Sequence, residues 1–174
     1  SGRPANQIAK RGVARTFQIV RILSSMTVLE NVMAGGVFGS ASRWGKDLED
    51  FARAQLVRVG MAEAEKLPVD ALTYIDQKRV ELARALASEP RVLLLDEWLA
   101  GLNPTELQTG IALIEKLRTD GCTIIIVEHV MDAIRSLCDR CVVMNSGVKI
   151  AEGTPAEVLS DSEVIRAYLG GGDA

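Results

Sequence analysis

Val92-Leu93-Leu94-Leu95-Asp96-Glu97 is the stretch that decides the fold. Four aliphatic residues in a row, without alternation, fit a strand buried on both faces of a parallel sheet. The two acids at its end then stand at the carboxyl edge, where open parallel sheets bind ligands. Next comes Asn103-Pro104-Thr105-Glu106, which reads as a helix start. Asn caps, Pro suits the first helical position and Glu reaches back. Leu107, Ile111, Ile114 and Leu117 recur at helical spacing, and Gly121 stops the helix. Residues 122–127 form a second, β-branched strand. Strand, one-sided helix and strand make a βαβ unit with a right-handed crossover, so the class is α/β with a parallel sheet.

Further out, Val130, Ile134 and Leu137 stripe another helix. Residues 140–144 and 148–151 flank Asn145-Ser146-Gly147 and read as a hairpin at the sheet edge. Thr154-Pro155-Ala156-Glu157 is a capping box that opens short helices through Tyr168, and Gly170-Gly171-Gly172 reads as a frayed tail. Upstream, residues 27–87 are helical in pattern. Val28, Leu29, Val32 and Met33 share one face, and residues 48–59 and 77–87 supply two more helices. A helical subdomain over about 19–88 thus precedes an α/β part over 89–174, within one domain of ordinary length.

Composition narrows the classes. Apolar residues are 48% and charged residues 25%, which excludes a disordered or collagen-like chain. Aromatics are only 4%, so the core must be aliphatic. A net charge of −3 gives no global attraction to nucleic acid. The chain before Glu30 carries Arg3, Lys10, Arg11, Arg15 and Arg21 and no acid. That basic start suits either a phosphate or acidic partner, or a solvated face. No apolar run approaches the roughly 18 residues of a membrane span, and no signal peptide is visible, so a cytoplasmic protein is expected. The start at Ser1 in a polar stretch, without Met, suggests a missing N-terminal piece. Cys138 and Cys141 form a C-x-x-C that suits a redox pair or half a zinc site. Cys122 and His129, the other soft ligands, do not lie at zinc-finger spacing, which favours buried small hydrophobes in a reducing compartment.

The acids and the single histidine carry the chemistry. At the mouth of the sheet one carboxylate of Asp96-Glu97 can hold Mg²⁺ and the other can take a proton from water. The plainer alternative is a strand end with a helix-capping acid. His129 follows the second strand and is expected at the same rim as Glu97, where an imidazole can sense a terminal phosphate. Residues 72–79 open a helix whose free amides and Thr73 hydroxyl suit an anion, or else Thr73 or Asp76 simply caps it.

These residues resemble the ATP-binding cassette (ABC) ATPases. Residues 72–76 and the helix after them are similar to the family's signature motif, residues 92–97 to the Walker B strand, and Ala100-Gly101-Leu102-Asn103-Pro104 to the D-loop. His129 matches the switch histidine, and Arg15-Thr16-Phe17-Gln18 the Q-loop. The resemblance spans nearly the whole chain and implies a partial P-loop NTPase fold, ATP and Mg²⁺. It makes Glu97 the general base, His129 the γ-phosphate sensor, and Asp96 with Gln18 the Mg²⁺ shell. It places Gln18, Thr73, Asp76, Gln77 and Asn103 among the nucleotide-contacting positions. It also implies a second ATPase subunit, transmembrane permease subunits, no nucleic acid, and a peripheral place on the inner face of the membrane. Within the family, residues 15–18, the D-loop and the 153–170 tail look most like the importers of branched-chain amino acids, with lipopolysaccharide-export ATPases close in pattern. A DNA-repair ATPase would insert a long coiled coil between Q-loop and signature, for which residues 17–72 are too short. A catalytically silent interaction module is the remaining alternative.

Departures from the family are equally legible. The phosphate loop G-x-x-x-x-G-K-[ST] is absent from the sequence, and the stretch from Gly39 to Gly45-Lys46-Asp47 has one residue too many and Asp in place of the hydroxyl. The family's loop would fall before Ser1, so a domain without its first strand, loop and following helix is expected, with apolar surface left uncovered. Thr73, Ile75 and Asp76 replace the family's Ser, Gly and Gln, and Trp98 replaces a proline.

Overall fold

The computed structural model describes residues 2–39, 41 and 43–170, so the frayed-tail expectation at Gly171 and Gly172 lies outside the described residues. The chain forms two compact units, Ser1–Val127 and Glu128–Ala174.

The first unit opens with a short helix α1 (Ala5–Ala9) and a three-residue strand β1 (Val13–Arg15). Neither was expected, since three residues are too few for a period to show. Three helices follow: α2 (Val28–Val37), α3 (Gly45–Arg58) and α4 (Tyr74–Ala87). Their starts follow from the caps. Thr27 and Glu30 form a reciprocal capping box at α2, and the amide and hydroxyl of Thr27 hold the Glu30 carboxyl below its ordinary range. Thr73 accepts from the Asp76 amide at α4. Between α3 and α4 the chain makes two 3₁₀ turns, Ala62–Ala64 and Val69–Ala71. Val28, Val32, Leu56, Val69, Val80 and Leu82 are fully buried among these helices. Each such side chain stabilises the fold by about 1.5–3 kcal/mol relative to exposure. The helices α2 and α4 approach so closely that a Cβ on Gly35 would lie 2.0 Å from the Arg84 carbonyl oxygen.

Strands β2 (Val92–Asp96) and β3 (Thr123–Val127) complete a parallel sheet in the order β1-β2-β3, and α5 (Pro104–Thr119) is the crossover between them. The Asn103–Glu106 capping box and Pro104 start α5 as the sequence implies. The register pairs Leu94 with Ile125 and Asp96 with Val127. One sheet face is buried, with Leu93 at 0% and Leu95 at 1% exposure. On the other, Ile125 is 54% and Val127 60% exposed. Burial on both faces, expected from the unbroken aliphatic run, is therefore corrected: the described elements cover one face only.

The second unit holds α6 (Met131–Leu137), β4 (Cys141–Asn145), β5 (Val148–Gly153), α7 (Pro155–Ser160) and α8 (Ser162–Val164), with a π turn over Ile165–Gly170. The hairpin is real, but β4 and β5 form a two-stranded antiparallel sheet of their own rather than an edge of the parallel sheet. Ser146 and Gly147, both at positive φ, close the strands on each other through two residues, so their pairing is satisfied locally. Thr154 and Glu157 form the expected capping box, and the Tyr168 hydroxyl donates to the Met144 carbonyl. Among the described residues no helix is long and apolar enough to cross a membrane.

Candidate active site at the carboxyl end of the parallel sheet

The strand end is built by backbone bonds first. Thr16 donates its amide to Leu94 at 3.0 Å and Glu97 donates to Val127 at 2.9 Å, so the chain after β1 and the turn after β2 meet at one edge. Glu97 takes φ = 47°, a left-handed conformation uncommon for a non-glycine residue, and the chain turns sharply there.

Side chains then converge. The Arg15 guanidinium pairs with the Asp96 carboxylate at 2.6 Å, and the Gln18 side-chain amide donates to Glu97 Oε2 at 2.7 Å. Arg15 and Arg21 lie over the Phe17 ring, 5.2 and 4.5 Å from its centroid. The segment is pinned to α4 from below: Glu81, 2% exposed, accepts from the amides of Arg21 at 2.9 Å and Phe17 at 3.4 Å. Burial pushes the Glu81 carboxyl above its usual range, against the pull of those two amides and of Arg84 and Lys78. Arg84 donates to the Arg21 carbonyl, and burial lowers its affinity for the proton. The Tyr74 hydroxyl donates to the Gln18 carbonyl at 3.4 Å.

Asp96, Glu97 and Gln18 are thus brought together, with Arg15 as a partner the sequence did not single out. Thr73, Asp76 and Gln77 sit at the start of α4. Thr73 caps it, Asp76 accepts from the Thr73 hydroxyl at 2.8 Å and from Arg79 at 3.2 Å, and Gln77 donates to the Leu72 carbonyl at 3.2 Å. The negative charge of Asp76 is therefore balanced locally by Arg79. Ile75 lies in the first helical turn with no positive φ, so its branched side chain is accommodated. Asn103 is exposed and caps α5. Trp98 is 1% exposed, and its indole donates to the Lys78 carbonyl at 3.4 Å. His129 is exposed and belongs to the second unit, two residues before α6. Cys138 ends α6 and Cys141 opens β4; burial raises the Cys141 thiol, and its hydrogen bond with Cys138 lowers it.

Lys78 and Glu81 are the residues that sequence reasoning left without a role. Their signal was present: two charges three positions apart beside Val80, Leu82 and Ala83, where charge is not expected unless it is paired.

No group of three or more His, Cys, Asp or Glu that could hold a metal ion occurs among the described residues. Mg²⁺ does not require one. It accepts one or two protein oxygens and completes its shell with water and phosphate oxygens. Gln18 uses its amide nitrogen on Glu97, which leaves its carbonyl oxygen as a ligand, and Asp96 supplies a hard carboxylate. That donor set fits Mg²⁺.

A model of the family described as "ABC transporter" matches residues 2–100. The chain belongs to the ABC transporter family. A second model, described as "Branched-chain amino acid ATP-binding cassette transporter", matches residues 148–174. The high-affinity branched-chain amino acid transport ATP-binding protein LivG of Escherichia coli is 39% identical, over 97% of this chain and 72% of LivG. BraF of Pseudomonas aeruginosa, with the same description, is 37% identical over the same shares. A crystal structure of an ATP-binding cassette of an ABC transporter in its ADP conformation superposes with a TM-score of 0.85 at 27% identity, over 98% of this chain and 73% of that one. The chain is accordingly an ABC-type ATPase subunit, with the parallel core sheet, flanking helices and helical subdomain of that fold.

Proposed function

We propose that this chain is the ATP-hydrolysing part of an importer for branched-chain amino acids, working at the inner face of the membrane through a permease. The observation that carries the catalytic half is the Gln18–Glu97 contact at the carboxyl edge of β2, beside Asp96. The similarity to LivG and BraF and the match over residues 148–174 support the transported class, and favour import over the lipopolysaccharide-export pattern.

Phosphoryl transfer needs positioning and charge stabilisation more than covalent chemistry. Bound Mg²⁺ supplies charge neutralisation on the phosphates. Asp96 and Gln18 would hold the ion through oxygen. Glu97, anchored by the Gln18 amide, takes the proton from the attacking water. His129 carries the phosphate-sensing role that the family resemblance implies for it. A second ATPase subunit pairs head to tail, and Thr73, Asp76 and Gln77 at the start of α4, together with Asn103, face the nucleotide held by that partner. Gln18 and the helices after it contact the permease, so closure of the two ATPases is passed to the membrane subunits.

The test is Glu97→Gln in the full gene product assembled with its permease. ATP turnover falls by about 10²-fold or more, in the range of general-base catalysis, and ATP-bound dimer accumulates. Unchanged turnover removes Glu97 from the mechanism. Loss of turnover without any effect of branched-chain amino acids on the assembled complex keeps the ATPase and rejects the substrate.

A further inference from the structure

Lys78 lies on α4 and is 1% exposed. Its Nζ donates to the Trp98 carbonyl at 2.8 Å and to the Ala100 carbonyl at 3.1 Å, and the Glu97 carbonyl stands at 3.5 Å. The ammonium also sits 5.1 Å from the centroid of the Tyr74 ring. The contact is reciprocal, because the Trp98 indole donates to the carbonyl of Lys78.

An ammonium has three donors and no acceptor, so three carbonyls of one turn match its capacity. Burying such a group is costly unless it is fully hydrogen-bonded, and an apolar side chain of similar volume could fill the slot without that cost. What an apolar side chain could not do is gather the carbonyls. Those carbonyls belong to residues 97–100, the turn that Glu97 enters at φ = 47° and that the Ala100 amide closes on the Glu97 carbonyl at 3.2 Å. A non-glycine residue in that conformation persists only where its surroundings hold it.

We infer that Lys78 is a positioning residue for hydrolysis: by clamping the carbonyls of residues 97, 98 and 100 it fixes the turn from which the Glu97 side chain reaches Gln18. The aim of the carboxylate is then set by α4, the helix that begins at Thr73, and not by β2 alone. The role rests on Glu97 acting as the base, and the test separates the two.

Lys78→Met, Glu97→Gln and the double variant are compared in the full gene product assembled with its permease, by steady-state and single-turnover ATP hydrolysis on protein shown to be folded. Lys78→Met lowers kcat tenfold or more with KM for ATP changed less than twofold. In the Glu97→Gln background it adds less than a twofold further loss, because the group it positions is already gone. A purely structural role gives either an unchanged kcat or an equal further loss in the double variant, and either result overturns the inference. Unchanged turnover in Glu97→Gln alone overturns the reading of Glu97 itself. Should Lys78→Met not accumulate folded, Lys78→Gln replaces it, with its neutral and shorter head. A kcat at least threefold lower at constant KM is expected, and a wild-type kcat overturns the role.

Discussion

Gln18 and Glu97, 79 positions apart in the chain, meet side chain to side chain at 2.7 Å. One nitrogen thereby connects the segment after β1 to the turn after β2. Because the Gln18 backbone carbonyl also accepts from Tyr74, and the Phe17 and Arg21 amides end on Glu81, the position of this glutamine is set by α4.

Gln18→Ala should therefore reduce kcat, since alanine removes both the anchor of Glu97 and the oxygen proposed to hold Mg²⁺. A loss of about 10-fold or more in kcat is expected in the assembled full gene product, with the Mg²⁺ concentration for half-maximal rate displaced upward. An unaltered Mg²⁺ dependence would take Gln18 out of the metal shell.

Residues 1–174 contain no G-x-x-x-x-G-K-[ST] segment. The loop amides and lysine that clamp phosphates are then lacking, and one oxygen-donor pair cannot replace them. Isothermal titration of this polypeptide with Mg-ATP should show no binding tighter than roughly 1 mM, which corresponds to about 4 kcal/mol. Micromolar binding would refute the expectation.

Glu81 predicts a pH dependence with a definite sign. Burial raises its carboxyl above the ordinary value of 4.5. From that value up to the raised one, the folded state keeps a proton that the unfolded state has released. Stability therefore falls as pH rises through the window and is level beyond it. Glu81→Gln carries no such proton, while its carbonyl still accepts from one amide. Its stability in urea should rise relative to wild type across the window. The Glu30 and Glu157 carboxyls, lowered by their caps, act in the opposite sense but equally in both proteins. Parallel stability curves would mean that Glu81 does not titrate as its burial requires.

The open face of the sheet makes a claim about solution behaviour. Ile125 and Val127 are more than half exposed, and Leu94 lies beside Ile125. Contiguous apolar surface of this kind drives association. Replacing Ile125 and Val127 by Thr should keep the strand, because Thr is also β-branched, and should change stability by about 0.5 kcal/mol or less. Sedimentation velocity of residues 1–174 should then show less self-association than in the unsubstituted chain. Equal association in both would exclude this face as its cause.

The amino-acid order alone determined the elements that rest on local chemistry. The capping boxes at Asn103 and Thr154 and the apolar stripes of α5 and α6 depend on neighbours within a turn or two, so they were legible. The acids closing β2 were legible as a strand end for the same reason, and only together with the other motifs did they point to nucleotide chemistry. Only the tertiary structure decided what depends on distant partners. It paired Arg15 with Asp96, drew Lys78 into the carbonyls of residues 98 and 100, buried Glu81 beneath the Phe17 and Arg21 amides, and left one face of β3 bare. Contacts across tens of residues leave no period in a sequence. Whether a charge is buried, or an aliphatic strand covered, is settled by which chain segment packs beside it.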